Sequence, residues 1–201
     1  MLGNAKARNV GTAIATPFAK IFLKIGLTPD LITLIGTIGV SVVSLVYFSK
    51  GQFLTGSLLF ALFVGLDAVD GTLARLLNRN SKWGAFFDSV LDRIADGVVL
   101  GSLAFYFAQN DLKVLFVLSL ISLVACEIVS YTKARAESLG FKCDTGIAER
   151  PERIIIIIAG TLLAGVGFNQ GLEISIWILT IVSVITVLQR MNFVFKQNKN
   201  L

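Results

Sequence analysis

The chain has 201 residues and a formal net charge of +5, yet only 15% of its residues are charged while 55% are hydrophobic. A soluble domain carries nearer a quarter charged residues, and a mean hydropathy of +0.78 favours a helical membrane protein instead. With two cysteines and no histidine, the sequence excludes zinc chemistry and His-dependent nucleophiles, so any metal must be held by oxygen ligands. The positive charge is typical of loops beside anionic lipid rather than of nucleic-acid binding.

The first element mixes basic and apolar residues. Residues 4–26 alternate Lys6, Arg8, Lys20 and Lys24 with aliphatic and phenylalanine side chains. This pattern predicts an amphipathic helix lying in the membrane interface. No signal peptide with a cleavage site is visible, so we expect this segment to belong to the mature protein.

Six apolar segments follow, each long enough to cross a bilayer as a helix. They lie at 31–49, 53–77, 84–108, 112–132, 152–169 and 172–192. The sequence therefore predicts an all-α integral membrane protein with six transmembrane helices plus the N-terminal interfacial helix. We expect one membrane domain over 1–201, with the six-helix bundle at 31–192.

The distribution of basic residues indicates the orientation of these segments. If the N-terminus lies inside, only Lys50 and Lys113 of the 18 Lys and Arg residues fall on the outer side. Such asymmetry is typical of cytoplasmic loops. We therefore expect a multi-pass protein of the cell membrane whose polar clusters face the cytoplasm.

The stretch "DAVDGTLARLLNRNSKWGAFFDSVLD" places four carboxylates inside apolar segments. Asp67 and Asp70 share one helix face, and Asp88 and Asp92 share a face of the next helix. If the two helices pack as a hairpin, Asp67 comes level with Asp92, and Asp70 with Asp88. Four like charges resist joint ionisation, so this geometry predicts divalent cations such as Mg²⁺ or Mn²⁺, two ions fitting the charge best.

Two other interpretations of these acids remain open. The carboxylates could form structural ion pairs with Arg75, Arg79 and Arg93. They could also belong to an ion or proton transporter, with Asp96 and Glu127 as further acids. Transport predicts acids spread through the membrane depth, whereas the four aspartates share one level.

The same stretch matches the pattern D-x2-D-G-x2-A-R-x8-G-x3-D-x3-D in full. It resembles the signature of the class I CDP-alcohol phosphotransferases, and the resemblance extends to the six-span layout. It implies that the phosphatidyl group of a CDP-activated lipid passes to an alcohol, with release of CMP. It also implies a homodimer.

The resemblance assigns roles to the aspartates. Asp67, Asp70 and Asp88 would hold one metal ion, and Asp67, Asp88 and Asp92 would share a second. Asp92 would also be the catalytic residue that accepts the proton of the incoming hydroxyl. No fixed residue of the pattern is a Cys, His or Ser, so direct attack by the acceptor is the simpler mechanism.

Further residues would bind CDP-diacylglycerol by the same resemblance. They are Asp30, Leu31, Ile32, Thr33, Gly71, Arg75 and Ser81. Without the resemblance, the segment "TPDLIT" predicts only a capped helix start, with Pro29 in the first turn.

A second polar cluster bears on the acceptor alcohol. Residues 130–153, together with Arg190, supply several cations: Lys133, Arg135, Arg150, Arg153 and Arg190. Cations in such number suit a phosphorylated acceptor. The residues alone equally allow positive anchors at the membrane surface, with Pro151 starting a helix.

Within the family, "SYTKARAE" followed by "ERPER" resembles the phosphatidylinositol phosphate synthases, whose acceptor is 1D-myo-inositol 3-phosphate. This implies that the acceptor phosphate contacts Ser130, Lys133, Arg153 and Arg190. The alternative is a phosphatidylglycerophosphate synthase using glycerol 3-phosphate. That group usually carries a G-K-x-K-T stretch, which this chain lacks.

Overall fold

The computed structural model describes residue 26 and residues 28–76 and 81–199, with only the backbone described for 67–76. This part of the chain contains six α-helices and no strand. They are α1 Pro29–Val46, α2 Phe53–Leu76, α3 Lys82–Gln109, α4 Lys113–Ser138, α5 Arg150–Gly165 and α6 Gln170–Lys199, with a 3-10 helix at Phe48–Lys50. The predicted all-α class and the order of six helices are confirmed. The predicted interfacial helix at 4–26 lies outside the described residues, apart from Gly26.

Three of the described helices are long and apolar enough to cross a membrane by length and composition. They are α4, α6, and α1 taken together with the 3-10 helix (Pro29–Lys50). The apolar first part of α2, Phe53–Leu66, is shorter than a membrane span. In α2 and α3 the aspartates and neighbouring basic residues interrupt the apolar run. That all six helices cross the membrane stays a prediction.

The helix ends differ from the predicted spans where polar sequence follows the apolar run. The fourth helix continues to Ser138, because Lys, Arg, Ala and Glu extend a helix readily in water. The sixth helix continues to Lys199. The fifth helix ends earlier than expected, at Gly165. Gly167 there adopts φ +98 and donates its N–H to the Ala164 carbonyl at 3.0 Å. Hydropathy thus marks membrane thickness, whereas helix length follows propensity and capping.

The described residues form two compact units. The first comprises residues up to Val43 together with Leu59–Ala95. Within it, the ring of Phe63 lies directly against the Cα of Gly39, so α1 and α2 approach closely. This first unit carries the segment after Thr28 and both halves of the aspartate pattern.

The second unit comprises Ser44–Leu58 and the chain from Asp96 onwards. In it α6 packs against both α4 and α5. Buried hydroxyls bridge the helices: Ser122 and Thr180 are 2.7 Å apart, and Ser57 donates to Thr161 at 2.8 Å. Small polar side chains of this kind allow close helix packing within a membrane. The second polar cluster lies where α4 ends and α5 begins.

Candidate functional site

The aspartate pattern occupies two consecutive helices of the first unit. Asp88 and Asp92 lie one turn apart on α3, and both are partly buried. The helical backbone of α2 likewise places Asp67 and Asp70 one turn apart. Their side chains and residues 77–80 lie outside the described part, so the convergence of four carboxylates stays a prediction. Among the described side chains, no three acids, cysteines or histidines lie together.

Asp92 has a basic neighbour. One of its carboxylate oxygens lies 3.9 Å from Nη2 of Arg93. This contact is one of the ion pairs anticipated by the structural interpretation of the acids. It joins two adjacent residues of α3, and Asp88 lies one turn away on the same helix. A local ion pair and metal ligation are therefore compatible on α3.

The start of α3 brings two predicted nucleotide contacts together. Ser81 precedes the helix, and its Oγ accepts the N–H of Gly84 at 2.8 Å, which caps the first turn. A Cβ added at Gly84 would lie 3.1 Å from this Oγ and 3.6 Å from Oδ1 of Asp30. Asp30 and Ser81, 51 positions apart in the sequence, thus flank the same glycine. The missing side chain leaves a small opening between a carboxylate and a hydroxyl.

The segment after Thr28 forms the capped helix start that the sequence alone suggests. Thr28 Oγ1 accepts the N–H of Leu31 at 3.3 Å, and Thr33 donates to the Pro29 carbonyl at 3.1 Å. Ile32 and Thr33 are buried whereas Leu31 is exposed. The cap fixes the direction of Asp30 in the first turn of α1. Of the other predicted contacts, Gly71 and Arg75 lie on the α2 backbone, with the Arg75 side chain undescribed.

Arg190 is a buried cation of the second cluster with three recorded contacts. It is 3% exposed, and its Nε donates to the carbonyl of Thr145 at 2.8 Å. Its Nη1 donates to the carbonyl of Val129, and its Nη2 lies 3.4 Å from Oε1 of Glu149. One guanidinium thereby joins α6, the end of α4 and the loop before α5. The predicted phosphate ligand is also a structural link.

Arg153 and Arg150 share a carboxylate that the sequence did not assign to this site. Arg153 Nη2 lies 3.1 Å from Oδ2 of Asp96, and Arg150 Nε lies 3.5 Å from Oδ1 of the same residue. Arg153 also donates to the carbonyl of Ala148 at 3.5 Å. The sequence contains one feature that could have indicated Asp96, because this residue continues the four-residue spacing of Asp88 and Asp92.

Ser130 and Lys133 complete the predicted acceptor residues on α4. Lys133 Nζ lies 3.8 Å from Oδ1 of the exposed Asp144. Ser130 donates to the carbonyl of Cys126 at 3.3 Å and is adjacent to Val129, the partner of Arg190. The structure therefore gathers Lys133, Arg153 and Arg190 around one loop, and each of these cations has an acidic partner.

The loop at 139–149 is held along α6. The backbone N–H of Lys142 donates to Gln197 at 3.1 Å, and Gln197 donates to the Lys142 carbonyl at 2.7 Å. Nearer α5, the N–H of Ala148 donates to Thr186 at 3.1 Å. Burial raises the pKa of the Cys143 thiol, which keeps it neutral inside the loop. The hydrogen bonds to Gln197 and Thr186 thus attach the loop that contacts the cations to α6.

The family model described as CDP-alcohol phosphatidyltransferase matches residues 26–189. Phosphatidylinositol phosphate synthase of Streptomyces avermitilis is 42% identical over 195 residues, which are 93% of this chain and 80% of that protein. The Mycobacterium tuberculosis protein of the same name is 37% identical over 187 residues, covering 90% and 86%.

Solved structures are similar over the same range. The crystal structure of the M. tuberculosis synthase with CDP-DAG bound has a TM-score of 0.85 at 37% identity, over 91% of this chain and 94% of that one. The structure of the same protein in complex with manganese and citrate also has a TM-score of 0.85, at 37% identity over 90% and 88%.

Proposed function

The chain belongs to the CDP-alcohol phosphatidyltransferase family, and from this premise we propose that it makes phosphatidylinositol phosphate. It is an integral membrane enzyme that passes the phosphatidyl group of CDP-diacylglycerol to 1D-myo-inositol 3-phosphate and releases CMP. The observation that carries this proposal is the complete aspartate pattern followed by a buried arginine cluster in one chain. Identities of 42% and 37% to phosphatidylinositol phosphate synthases support it.

Two Mg²⁺ ions, with Mn²⁺ as the alternative, would be held by Asp67, Asp70, Asp88 and Asp92. An all-oxygen donor set suits these hard cations. The turn spacing on α2 and the partial burial of Asp88 and Asp92 fit such a site. The manganese complex of the M. tuberculosis synthase supports a divalent cation. When bound, the ions offset the negative charge of the pyrophosphate and of the departing CMP.

The residues of the chain orient both reactants and move the proton. The acceptor hydroxyl oxygen forms a bond to the phosphorus of the phosphatidyl group, and the bond from that phosphorus to the CMP oxygen breaks. The hydroxyl proton passes to the carboxylate of Asp92. Arg75 pairs with phosphate oxygens of the lipid nucleotide. No covalent enzyme intermediate is needed.

The nucleotide contacts lie around the opening at Gly84. Ser81 accepts the Gly84 N–H, which leaves its own O–H as a donor for a nucleotide oxygen. The Asp30 carboxylate on the other side suits an amino or hydroxyl donor of the cytidine. The remaining proposed contacts are Leu31, Ile32, Thr33 and Gly71.

The acceptor phosphate would bind Ser130, Lys133, Arg153 and Arg190. An arginine has five N–H donors, and the three contacts of Arg190 leave donors for a phosphate. A cluster of cations that includes two buried arginines suits an anionic acceptor better than a neutral one. Glycerol 3-phosphate shares this charge, and identity to the inositol phosphate enzymes favours inositol phosphate.

In the membrane, we propose six crossing helices, an interfacial helix at 4–26 and one domain over the whole chain. Lys50 and Lys113 are exposed at the helix ends assigned to the outer side. The cationic cluster lies at the other end of α4, which fits an active site open to the cytoplasm of the cell membrane. We also propose a homodimer.

A competition assay tests the function. Purified protein in detergent, given Mg²⁺ and CDP-diacylglycerol, should release CMP with inositol phosphate and far less with equimolar glycerol 3-phosphate. Asp88→Asn should be inactive. Asp111→Asn, an exposed acid in the turn between α3 and α4, is the matched control and should keep activity. Faster CMP release with glycerol 3-phosphate would move the assignment to phosphatidylglycerophosphate synthesis.

A further inference from the structure

Asp96 contacts two arginines, and no step of the proposed reaction uses it. Its Oδ2 lies 3.1 Å from Arg153 and its Oδ1 lies 3.5 Å from Arg150, so each oxygen holds one guanidinium. The Asp96 side chain is 12% exposed and that of Arg153 is 3% exposed. The carboxylate is thus largely buried beside Arg153, while the Arg150 side chain is 22% exposed.

The two arginines need this partner because of their spacing. Arg150 and Arg153 lie three residues apart in the first turn of α5, on neighbouring positions of one helix face. Without a shared anion, two guanidinium groups so placed would repel each other. One carboxylate between two cations sets their angles and still leaves a positive charge that attracts a phosphate.

The other acids of the cluster differ from Asp96 in exposure. Glu149, the partner of Arg190, is 47% exposed, and Asp144, the partner of Lys133, is 74% exposed. Exposed ion pairs are weak, so both acids can turn into water when a phosphate replaces them. The largely buried carboxylate of Asp96 has no comparable path to solvent.

We propose that Asp96 is a positioning residue for the acceptor phosphate. It keeps its contacts with Arg150 and Arg153 in both the free and the loaded enzyme, whereas Glu149 and Asp144 are exchangeable counter-ions that the phosphate displaces. Asp96 does not touch the acceptor and acts through Arg153. This inference rests on the proposed function only in requiring a phosphorylated acceptor.

Steady-state kinetics with both substrates test the role. Asp96→Asn should raise the KM for inositol phosphate about tenfold or more, since a charged hydrogen bond contributes roughly that factor. The KM for CDP-diacylglycerol and the kcat at saturation should stay within about twofold. Asp144→Asn, which removes an exposed acid of the same cluster, should leave the KM for inositol phosphate unchanged or lower. A purely structural role would instead lower kcat with both KM values unchanged, and that result would overturn the proposal.

A second variant separates the position of the carboxylate from its charge. It also keeps the proposal testable if Asp96→Asn folds poorly. Asp96→Glu keeps the charge but adds a methylene to a carboxylate already 3.1 Å from Arg153, so the guanidinium must shift. We expect the KM for inositol phosphate to rise at least about threefold, which is a smaller effect than the complete loss of one charged hydrogen bond. An unchanged KM in Asp96→Glu would show that the position of Arg153 does not matter.

The wild-type assay distinguishes this inference from the proposed function. If the wild type uses glycerol 3-phosphate instead, the acceptor assignment fails, and the same variants assayed with that acceptor still decide the role of Asp96. If no acceptor is turned over, the rise in Tm produced by inositol phosphate serves as the readout. A rise in the wild type that is lost in Asp96→Asn supports the proposal, while equal rises, or no rise in either protein, overturn it.

Discussion

Replacing Arg190 by alanine should destabilise the protein far more than removing a surface arginine. The side chain is 3% exposed and donates to the carbonyls of Thr145 and Val129. Hydrogen bonds from a charged donor contribute about 1.5–3 kcal/mol each, and their removal leaves two buried acceptors without a partner. The contact with the half-exposed Glu149 adds about 0–1 kcal/mol.

These contributions predict a loss of about 3–7 kcal/mol. For a chain of this size, that loss lowers Tm by roughly 6 °C or more. The assay is thermal unfolding of the purified protein in detergent, followed by the loss of monodisperse protein. Arg135→Ala is the matched control: Arg135 is an exposed arginine near the end of α4 whose Nη1 contacts Ser138 at 3.4 Å, and we expect its Tm to stay within about 2 °C.

Arg190→Lys separates the effect of charge from that of geometry, because it keeps the positive charge and loses the planar guanidinium. We expect a Tm between those of the wild type and Arg190→Ala, since an ammonium cannot reach both carbonyls and Glu149 together. If Arg190→Ala unfolds within about 2 °C of the wild type, the guanidinium is not the link between the loop and α4. The structural part of its role would then be refuted.

Three further outcomes follow from the site. Asp92→Asn should lower kcat by about 10²–10⁴ while CDP-diacylglycerol still binds, since the loss is that of a general base, and full activity would contradict the proton transfer. Gly84→Ala would place a Cβ 3.1 Å from Ser81 Oγ, so we expect the KM for CDP-diacylglycerol to rise about tenfold with Tm unchanged or higher, because alanine favours a helix. Gly101→Ala in the same helix, with no atom within 4 Å of the added Cβ, is the control and should keep the wild-type KM. Chelation of divalent ions should stop CMP release, and Mg²⁺ or Mn²⁺ should restore it; activity that survives chelation would exclude a metal-dependent reaction.

The arginine cluster has a practical consequence for interpreting variants. Arg190 and Arg153 each bind backbone carbonyls as well as acids. A substitution there changes the frame of the loop together with the proposed phosphate site. Kinetic loss alone is therefore insufficient evidence for phosphate contact, and Tm must be measured beside KM. Lys133 pairs only with the exposed Asp144 among its recorded salt bridges. A substitution of Lys133 therefore tests the contact with the acceptor phosphate with less effect on stability.

Local pattern explains why the helices and the aspartates could be predicted. Hydropathy over a window and the 3.6-residue period depend only on neighbouring residues, so the order of six helices follows from the sequence. The spacing of Asp88 and Asp92 also sets their common face without reference to any other helix. The capped start after Thr28 is equally local, because its hydrogen bonds span three and four residues.

The sequence by itself therefore determined the all-α class, the helix order and the family pattern, because each is written in adjacent residues. Only the tertiary structure decided which acid neutralises which cation. Asp96 contacts Arg153 across 57 positions, and Arg190 contacts Val129 across 61. Such pairs depend on which helices pack together and at what height, and no local preference encodes that distance. For the same reason, Asp30 became a neighbour of Ser81 and Gly84 only once α1 and α3 had packed together.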